Sequence, residues 1–369
     1  MQLSTLKDVY RHTGPFVTVH LDVSRNTEDA QQQLASRWTT ARHALEKEAV
    51  DPGLVEQIGE RLQEPTDLPG EVRRTIVAAD GEIVFDDARI GSSPWPETVT
   101  CGDLPDLSGW VHQTDGQIPF LLVVADREGA DLELYETLDQ GEVQRREVSG
   151  DTLHLHKYQG GGWSHRRFQQ RSENTAESNA REVADEIRSI VTKHKPRAVL
   201  LAGDPRSRSV IVDSLDGVQS EIHQLEAGGR GAGSSEESLR GEIEVVLARL
   251  EAEDQQAVSG RLEERWAQGS GAVLGVDDVL EALVQGKVET LVVDLQKARD
   301  LTVEPGRFPG LPVPEQAAGT KELPVDQVLV AAGVLTDAAI AVLPAEQGKG
   351  GGVAAVLRWD DRDDKQETV

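Results

Sequence analysis

The sequence predicts an α/β and α+β protein of three small domains in series. Three observations carry that prediction. Strand-like and helix-like patterns alternate along most of the chain. A break near Gly116-Gln117 and a glycine-serine linker from Ala227 to Ser235 divide it into three parts. At 369 residues the chain also exceeds one ordinary hydrophobic core. The expected divisions are an N-terminal α/β domain over 1–117, a middle domain over 118–227 and a C-terminal α/β domain over 236–360. An acidic tail of 361–369 follows.

In the first part, Pro15 sets the start of an alternating strand from Phe16 to Val23. Leu34, Trp38, Ala41 and Leu45 then recur at helical spacing within Glu28–Val50, and a shorter helix spans about Gly53–Leu62. Thr75–Ala79 and Glu82–Phe85 flank Asp80-Gly81, a two-residue hairpin signal.

The second part opens with an apolar strand, Ile118–Ala125, and two antiparallel partners at Asp131–Tyr135 and Glu142–Glu147. A helix is expected from Phe168 to His194, its stripe marked by Ala180, Val183, Ala184, Ile187, Ile190 and Val191. Ala198–Gly203 reads as a strand, Ser209–Leu215 as a short helix and Ile222–Leu225 as a strand.

The third part begins with a long helix from Glu236 to about Ala267. A second helix, Val276–Gln285, ends at Gly286, a normal C-terminal glycine. Val288–Asp294 is a strand. The five prolines and several glycines of 296–324 predict a long exposed loop. A helix over Val325–Gly333 and strands over Ala338–Leu343 and Val353–Trp359 complete the reading.

Composition limits the functional classes. Acidic residues number 65 against 38 basic ones, a net charge of −27. Most of such a surface repels polyanions, which argues against a general nucleic-acid coat protein. One cysteine, Cys101, excludes an intramolecular disulfide and a thiolate zinc site, in keeping with a reducing cytoplasm. No signal-peptide run opens the chain and no apolar stretch reaches membrane-spanning length, so a soluble, cytoplasmic protein without a membrane partner is expected.

Against that acidic background, His154–Arg171 (HLHKYQGGGWSHRRFQQR) contains no acidic residue at all. It holds Lys157, Arg166, Arg167 and Arg171 as phosphate partners, and Tyr158 and Trp163 as rings able to stack on bases. Gly160, Gly161 and Gly162 permit positive φ and close backbone approach, and Ser164 and His165 add polar groups. One reading is an RNA-binding tongue; the other is a solvated basic turn before a helix, with Trp163 packed back near Phe168.

Enzyme motifs are weak by comparison. Gly229–Gly233 lacks the third glycine of a dinucleotide fingerprint, and Gly348–Gly352 precedes a strand where a phosphate loop needs a helix. His154, His156 and His165 lie among cations and lack a further ligand, so no metal site and no cofactor are expected. No catalytic residue is assigned.

Gly161-Gly162-Trp163-Ser164-His165-Arg166-Arg167-Phe168 followed by a helix with Val183-Ala184-Asp185-Glu186 resembles the middle domain of archaeal and eukaryotic class-1 release factors. Leu274–Leu283, Gly286–Leu291 and Gly351–Trp359 resemble the C-terminal domain of the same family, in the same order. The likeness covers roughly residues 118–360 and extends to Pelota and to a bacterial branch typified by the ribosome hibernation factor Balon and its mycobacterial relatives.

The resemblance implies a three-domain protein that enters the A site of the 70S ribosome, with the tongue toward the rRNA of the peptidyl-transferase centre. In release factors a glutamine follows the glycine pair and positions the attacking water. Trp163 stands there in this chain, and an indole is a donor only and far bulkier. The family's N-I-K-S decoding motif is absent from 1–117. The likeness therefore points to a hibernation or rescue factor without peptide release, docking with a translational GTPase such as elongation factor Tu in its GDP form. A peptidyl-tRNA hydrolase with a rearranged loop and a non-ribosomal RNA-binding protein stay open as alternatives.

Overall fold

The alternating run after Pro15 forms β1 (Phe16–Asp22). Helices α1 (Ala30–Lys47) and α2 (Pro52–Gln63) follow, then strands β2 (Val72–Ala79), β3 (Glu82–Ile90) and β4 (Thr98–Gly102). The computed structural model describes residues 6–66, 68, 71–90, 95–135, 142–149, 163–228, 236–343 and 350–359. The first four strands make an antiparallel sheet in the order β3-β2-β1-β4. The hairpin between β2 and β3 turns at Asp80 (φ +54°) and Gly81 (φ +83°), the positive dihedrals that a type I′ turn needs.

Because side chains alternate along β1, Val17, Val19 and Leu21 share one face of the sheet. They pack there against Leu34, Trp38 and Leu45 of α1 and Ile58 and Leu62 of α2. Gly59 makes the helix pair possible, since a Cβ there would stand 2.5 Å from the Trp38 ring. The other face of β1 presents Phe16, Thr18 and His20. A helix not anticipated from the sequence, α3 (Ser108–Thr114), lies beyond β4.

The middle of the chain contains β5 (Phe120–Ala125), β6 (Gly129–Tyr135), β7 (Glu142–Ser149), α4 (Trp163–His194), β8 (Ala198–Gly203), α5 (Pro205–Ser214) and β9 (Glu221–Gln224). The sheet runs β7-β6-β5-β8-β9, antiparallel through β5 and parallel from β5 to β9. The crossover from β5 to its parallel neighbour β8 contains α4, as a parallel pair requires. Covered on both faces, β8 reads as a continuous apolar run (Ala198–Ala202). One face packs against α4 and α5. The other takes Ile243 and Leu250 from the first half of α6 (Glu236–Ala267).

The last part holds β10 (Ala272–Leu274), α7 (Val276–Val284), β11 (Val288–Val293), α8 (Leu295–Arg299), β12 (Thr302–Val303), α9 (Glu315–Ala318), β13 (Leu323–Pro324), α10 (Val325–Leu335), β14 (Ala339–Val342) and β15 (Val353–Leu357). Its sheet has the order β10-β15-β11-β14, with β11 and β14 parallel. The expected exposed loop over 296–324 is not one. Phe308, Leu311, Ala317 and Leu323 are buried, and β12 pairs with β13. The prolines fix turns between buried apolar anchors, so this segment is irregular but packed.

The chain forms two compact units, 117–253 and the combination of 1–116 with 254–369. In the larger unit one apolar cluster joins Tyr10, Phe16, Leu107 and Trp110 to Val325, Leu329 and other residues of α10. The N-terminal and C-terminal parts thus share one of the cores of this unit.

Candidate nucleic-acid interface

Lys157, Tyr158, Gly160, Gly161 and Gly162 lie outside the described residues. So do His154 and His156. Trp163, Ser164, His165, Arg166, Arg167 and Arg171 are in the opening turns of α4, described by their backbone. The helix begins at Trp163, five residues before the expected start at Phe168. From Trp163 to Arg171 the sequence offers no glycine or proline, so nothing local ends the helix before the glycine triplet. By helical register Trp163, Arg167 and Arg171 fall at i, i+4 and i+8, on one side of the axis.

The electrostatics of this helix start are inverted. Helix N-termini carry a partial positive charge and ordinarily attract acidic residues, each contributing about 0.3–1 kcal/mol. The first turn of α4 has none, and the first acid after Trp163 is Glu173. Arg166 in that first turn, with Arg167 and Arg171 following in sequence, adds cationic sequence to the partial positive charge instead. The same arrangement attracts a polyanion.

The C-terminal half of α4 holds it in place. Val183, Ala184, Ile187 and Ile190 bury against Leu121, Leu132 and Leu201 of the sheet. Buried Asn179 donates through Nδ2 to the Arg127 carbonyl at 3.1 Å, tying the helix to the β5–β6 turn. Arg146 of β7 pairs with Glu186, and Arg188 donates to the carbonyl of Ser214, the last residue of α5. At a rise of about 1.5 Å per residue, Trp163 stands roughly 24 Å along the axis from Asn179. The anchor and the basic start are therefore separate parts of one rod.

A second unusual group of side chains lies in the larger unit, where its N-terminal and C-terminal parts meet. Tyr10 comes from a 3-10 turn (Val9–Arg11), Asp106 and Ser108 from the start of α3, Asp326 from the first turn of α10 and Arg299 from the end of α8. The first four are buried. Among the described residues, the Tyr10 hydroxyl, Asp106 Oδ1 and both Asp326 carboxylate oxygens find no hydrogen-bond partner. The Ser108 hydroxyl is near enough to favour the Asp326 carboxylate, but no bond of full geometry closes between them.

Arg299 is the cation of the group. Its Nη2 lies 3.9 Å from Asp106 Oδ2, and its guanidinium sits 5.3 Å over the Trp95 ring. Trp95 in turn rests on Gly109, where a Cβ would come within 2.5 Å of the indole. Burial, and then the neighbouring Asp106 charge, push Asp326 up to about 6. Burial also raises Asp106, against the opposing pull of Arg299. Burial and the two carboxylates hold the Tyr10 phenol neutral. Nearby His20, donating to or accepting from the Thr75 hydroxyl at 2.8 Å, is pushed down to about 4 by burial and by Arg73.

Among the described residues no cluster of three or more His, Cys, Asp or Glu is arranged to hold a metal ion. No helix among them is long and apolar enough to cross a membrane. Cys101 is a half-buried free thiol on β4, raised by that burial.

Residues 119–268 match the model of bacterial archaeo-eukaryotic release factor family 2. Over its full length the chain is similar to two uncharacterized proteins of Mycobacterium tuberculosis, Rv2629 of strain H37Rv and MT2704 of strain CDC 1551. Each is 27% identical over 367 residues, covering 98% of this chain and 94% of the relative. Among solved structures, archaeal termination factor aRF1 is 14% identical, with 96% of both chains covered and a TM-score of 0.25. Pelota of Archaeoglobus fulgidus is 14% identical over 92% of this chain and 95% of its own, with a TM-score of 0.31. Dom34 of S. cerevisiae, a translation termination-like factor interacting with Hbs1, is 10% identical over 97% and 92%, with a TM-score of 0.42.

Proposed function

We propose that this protein is a cytoplasmic ribosome-binding factor of the hibernation or rescue type, which occupies the ribosomal A site without releasing peptide. The observation that carries the reading is the identity of one residue. Within the segment 119–268 that matches a release-factor family model, Trp163 follows the glycine pair where release factors carry glutamine. An indole N–H cannot accept a hydrogen bond from an attacking water, and the ring is far bulkier than the glutamine amide. The same indole can stack on an unpaired base, an interaction worth about 1–3 kcal/mol. Lys157, Arg166, Arg167 and Arg171 then meet rRNA phosphates, and Tyr158 offers a second ring. The partner that the resemblance implies is elongation factor Tu in its GDP form.

The test uses 70S ribosomes loaded with labelled peptidyl-tRNA. The protein should co-sediment with them and release no peptide above buffer at saturation. Strong release by the unmodified chain would favour the hydrolase reading. Failure to co-sediment, with retained binding to free RNA, would favour a non-ribosomal RNA-binding protein.

A further inference from the structure

The buried group where the two parts of the larger unit meet has one arginine for two carboxylates. Asp106 enters from the N-terminal part beside α3, and Asp326 from the first turn of α10 in the C-terminal part; neither is exposed by more than 3%. Burying two such charges close together in low dielectric is costly unless one is neutralised. Arg299 lies against Asp106, at 3.9 Å, whereas Asp326 closes no hydrogen bond of full geometry and is favoured only by the nearby Ser108 hydroxyl, the Gln327 amide and, more weakly, Arg299. Asp326 is therefore the less compensated of the two carboxyls. Its elements are otherwise apolar: α10 buries Val328, Leu329 and Val330 in the core that it shares with Tyr10, Leu107 and Trp110.

We propose that Asp326 and Asp106 form a proton-operated clasp that closes the N-terminal part of the larger unit onto its C-terminal part. One proton taken from solvent leaves a single carboxylate facing Arg299, and the buried group is then neutral. Loss of that proton leaves a net negative charge in an apolar seam, and the seam loosens. The groups facing Asp326 are Asp106 and Ser108 before and in α3, Tyr10 of the 3-10 turn and Arg299 of α8. Tyr10 stays neutral throughout the relevant range, since its phenol is raised further.

The sign follows from the direction of the shift. With Asp326 raised from 3.8 to about 6 in the closed form, closure is most favoured below pH 4 and weakens as pH rises through 6. Between pH 7.5 and pH 5 the closing constant should rise about tenfold from this group alone. His20 acts oppositely, because its lowered value makes the closed form resist protonation as pH falls from 6.5 toward 4. His112, lowered by burial and facing Asp294, has the same sign. The clasp must therefore be read as a difference between variants, in which both histidine contributions cancel.

Hydrogen exchange of the full chain between pH 5 and 8, corrected for intrinsic rates, supplies that difference. Protection of α3 and α10 is compared with that of residues 177–191 of α4, in the other unit. In the wild type, α3 and α10 should lose about tenfold protection relative to α4 as pH rises from 5 to 7.5, once the slope seen in Asp326→Asn is subtracted. Asp326→Asn, which mimics the neutral acid, should hold the closed form at both ends. Arg299→Gln should move the wild-type transition to higher pH, because it removes the charge that favours ionised carboxylates. An Asp326→Asn protein with the same pH dependence as the wild type overturns the clasp. If that variant fails to fold, an unshifted transition in Arg299→Gln overturns it as well.

Discussion

The backbone amide of Val342, last residue of β14, donates to the carboxylate of Asp115 at 2.6 Å, across 227 residues of sequence. Asp115 terminates α3, so a side chain from the N-terminal part satisfies the edge of the C-terminal sheet where β14 ends. Both residues are half-buried, and a hydrogen bond to a charged group contributes about 1–3 kcal/mol.

Asp115→Ala should accordingly lower the stability of the larger unit by about 1–3 kcal/mol. Asp115→Asn, which keeps an acceptor, should cost less. Denaturant unfolding followed by tryptophan fluorescence reads the larger unit, which holds Trp38, Trp95 and Trp110. Equal losses for both substitutions would show that the carboxylate acts by charge and not as the acceptor for Val342.

Gly203, at the end of β8, has φ +101°, and a Cβ there would overlap the Ala125 carbonyl oxygen. That carbonyl also accepts from the Asp204 amide at 2.8 Å, so the backbone cannot retreat without breaking the start of α5. Gly203→Ala should cost the 117–253 unit about 3 kcal/mol or more, combining dihedral strain with overlap. Calorimetry of the full chain should show a transition moved down while the other stays. A loss below about 1 kcal/mol would mean that the turn tolerates an ordinary L residue.

Removing Arg166 and Arg167 together should weaken ribosome binding and flatten its salt dependence. Each phosphate left without its arginine should reduce the logarithmic slope by roughly 0.7–0.9. Both residues belong to helical backbone remote from the packed half of α4, so the melting temperature should barely change. A double alanine variant with the wild-type slope would remove the opening of α4 from the RNA interface.

Local pattern exposed much of the architecture. The Asp80-Gly81 turn, the Leu34–Trp38–Ala41–Leu45 stripe and the Val183–Ile187–Ile190 face of α4 each rest on neighbours in sequence, and each forms as its spacing dictates. What sequence reading missed depends on distant partners. Helix α3 is seven residues with a glycine at its second position, a poor helix by propensity, and it exists because Trp110 and Val111 bury in a core completed by α10. The segment 296–324 looked exposed because prolines mark turns, whereas Phe308 and Leu311 anchor it from within.

The basic run His154–Arg171 stands out in sequence against its acidic surroundings, but residues 154–162 lie outside the described residues, and α4 begins five residues before the expected Phe168. The pairing of Asp106 with Asp326 had no such contrast. Two aspartates among 65 acidic residues, one in each terminal part, carry no local mark of their meeting.

That the outer thirds of the chain share one core has a consequence for its synthesis. The ribosome delivers Tyr10, Leu107 and Trp110 long before Val325 and Leu329, the residues against which they pack. The middle unit, 117–253, contains all its own strands and can finish first. Until α10 emerges, the nascent N-terminal part must keep an apolar face uncovered. Maturation of the larger unit is therefore tied to completion of translation, and chains cut short before α10 leave that face open to other proteins.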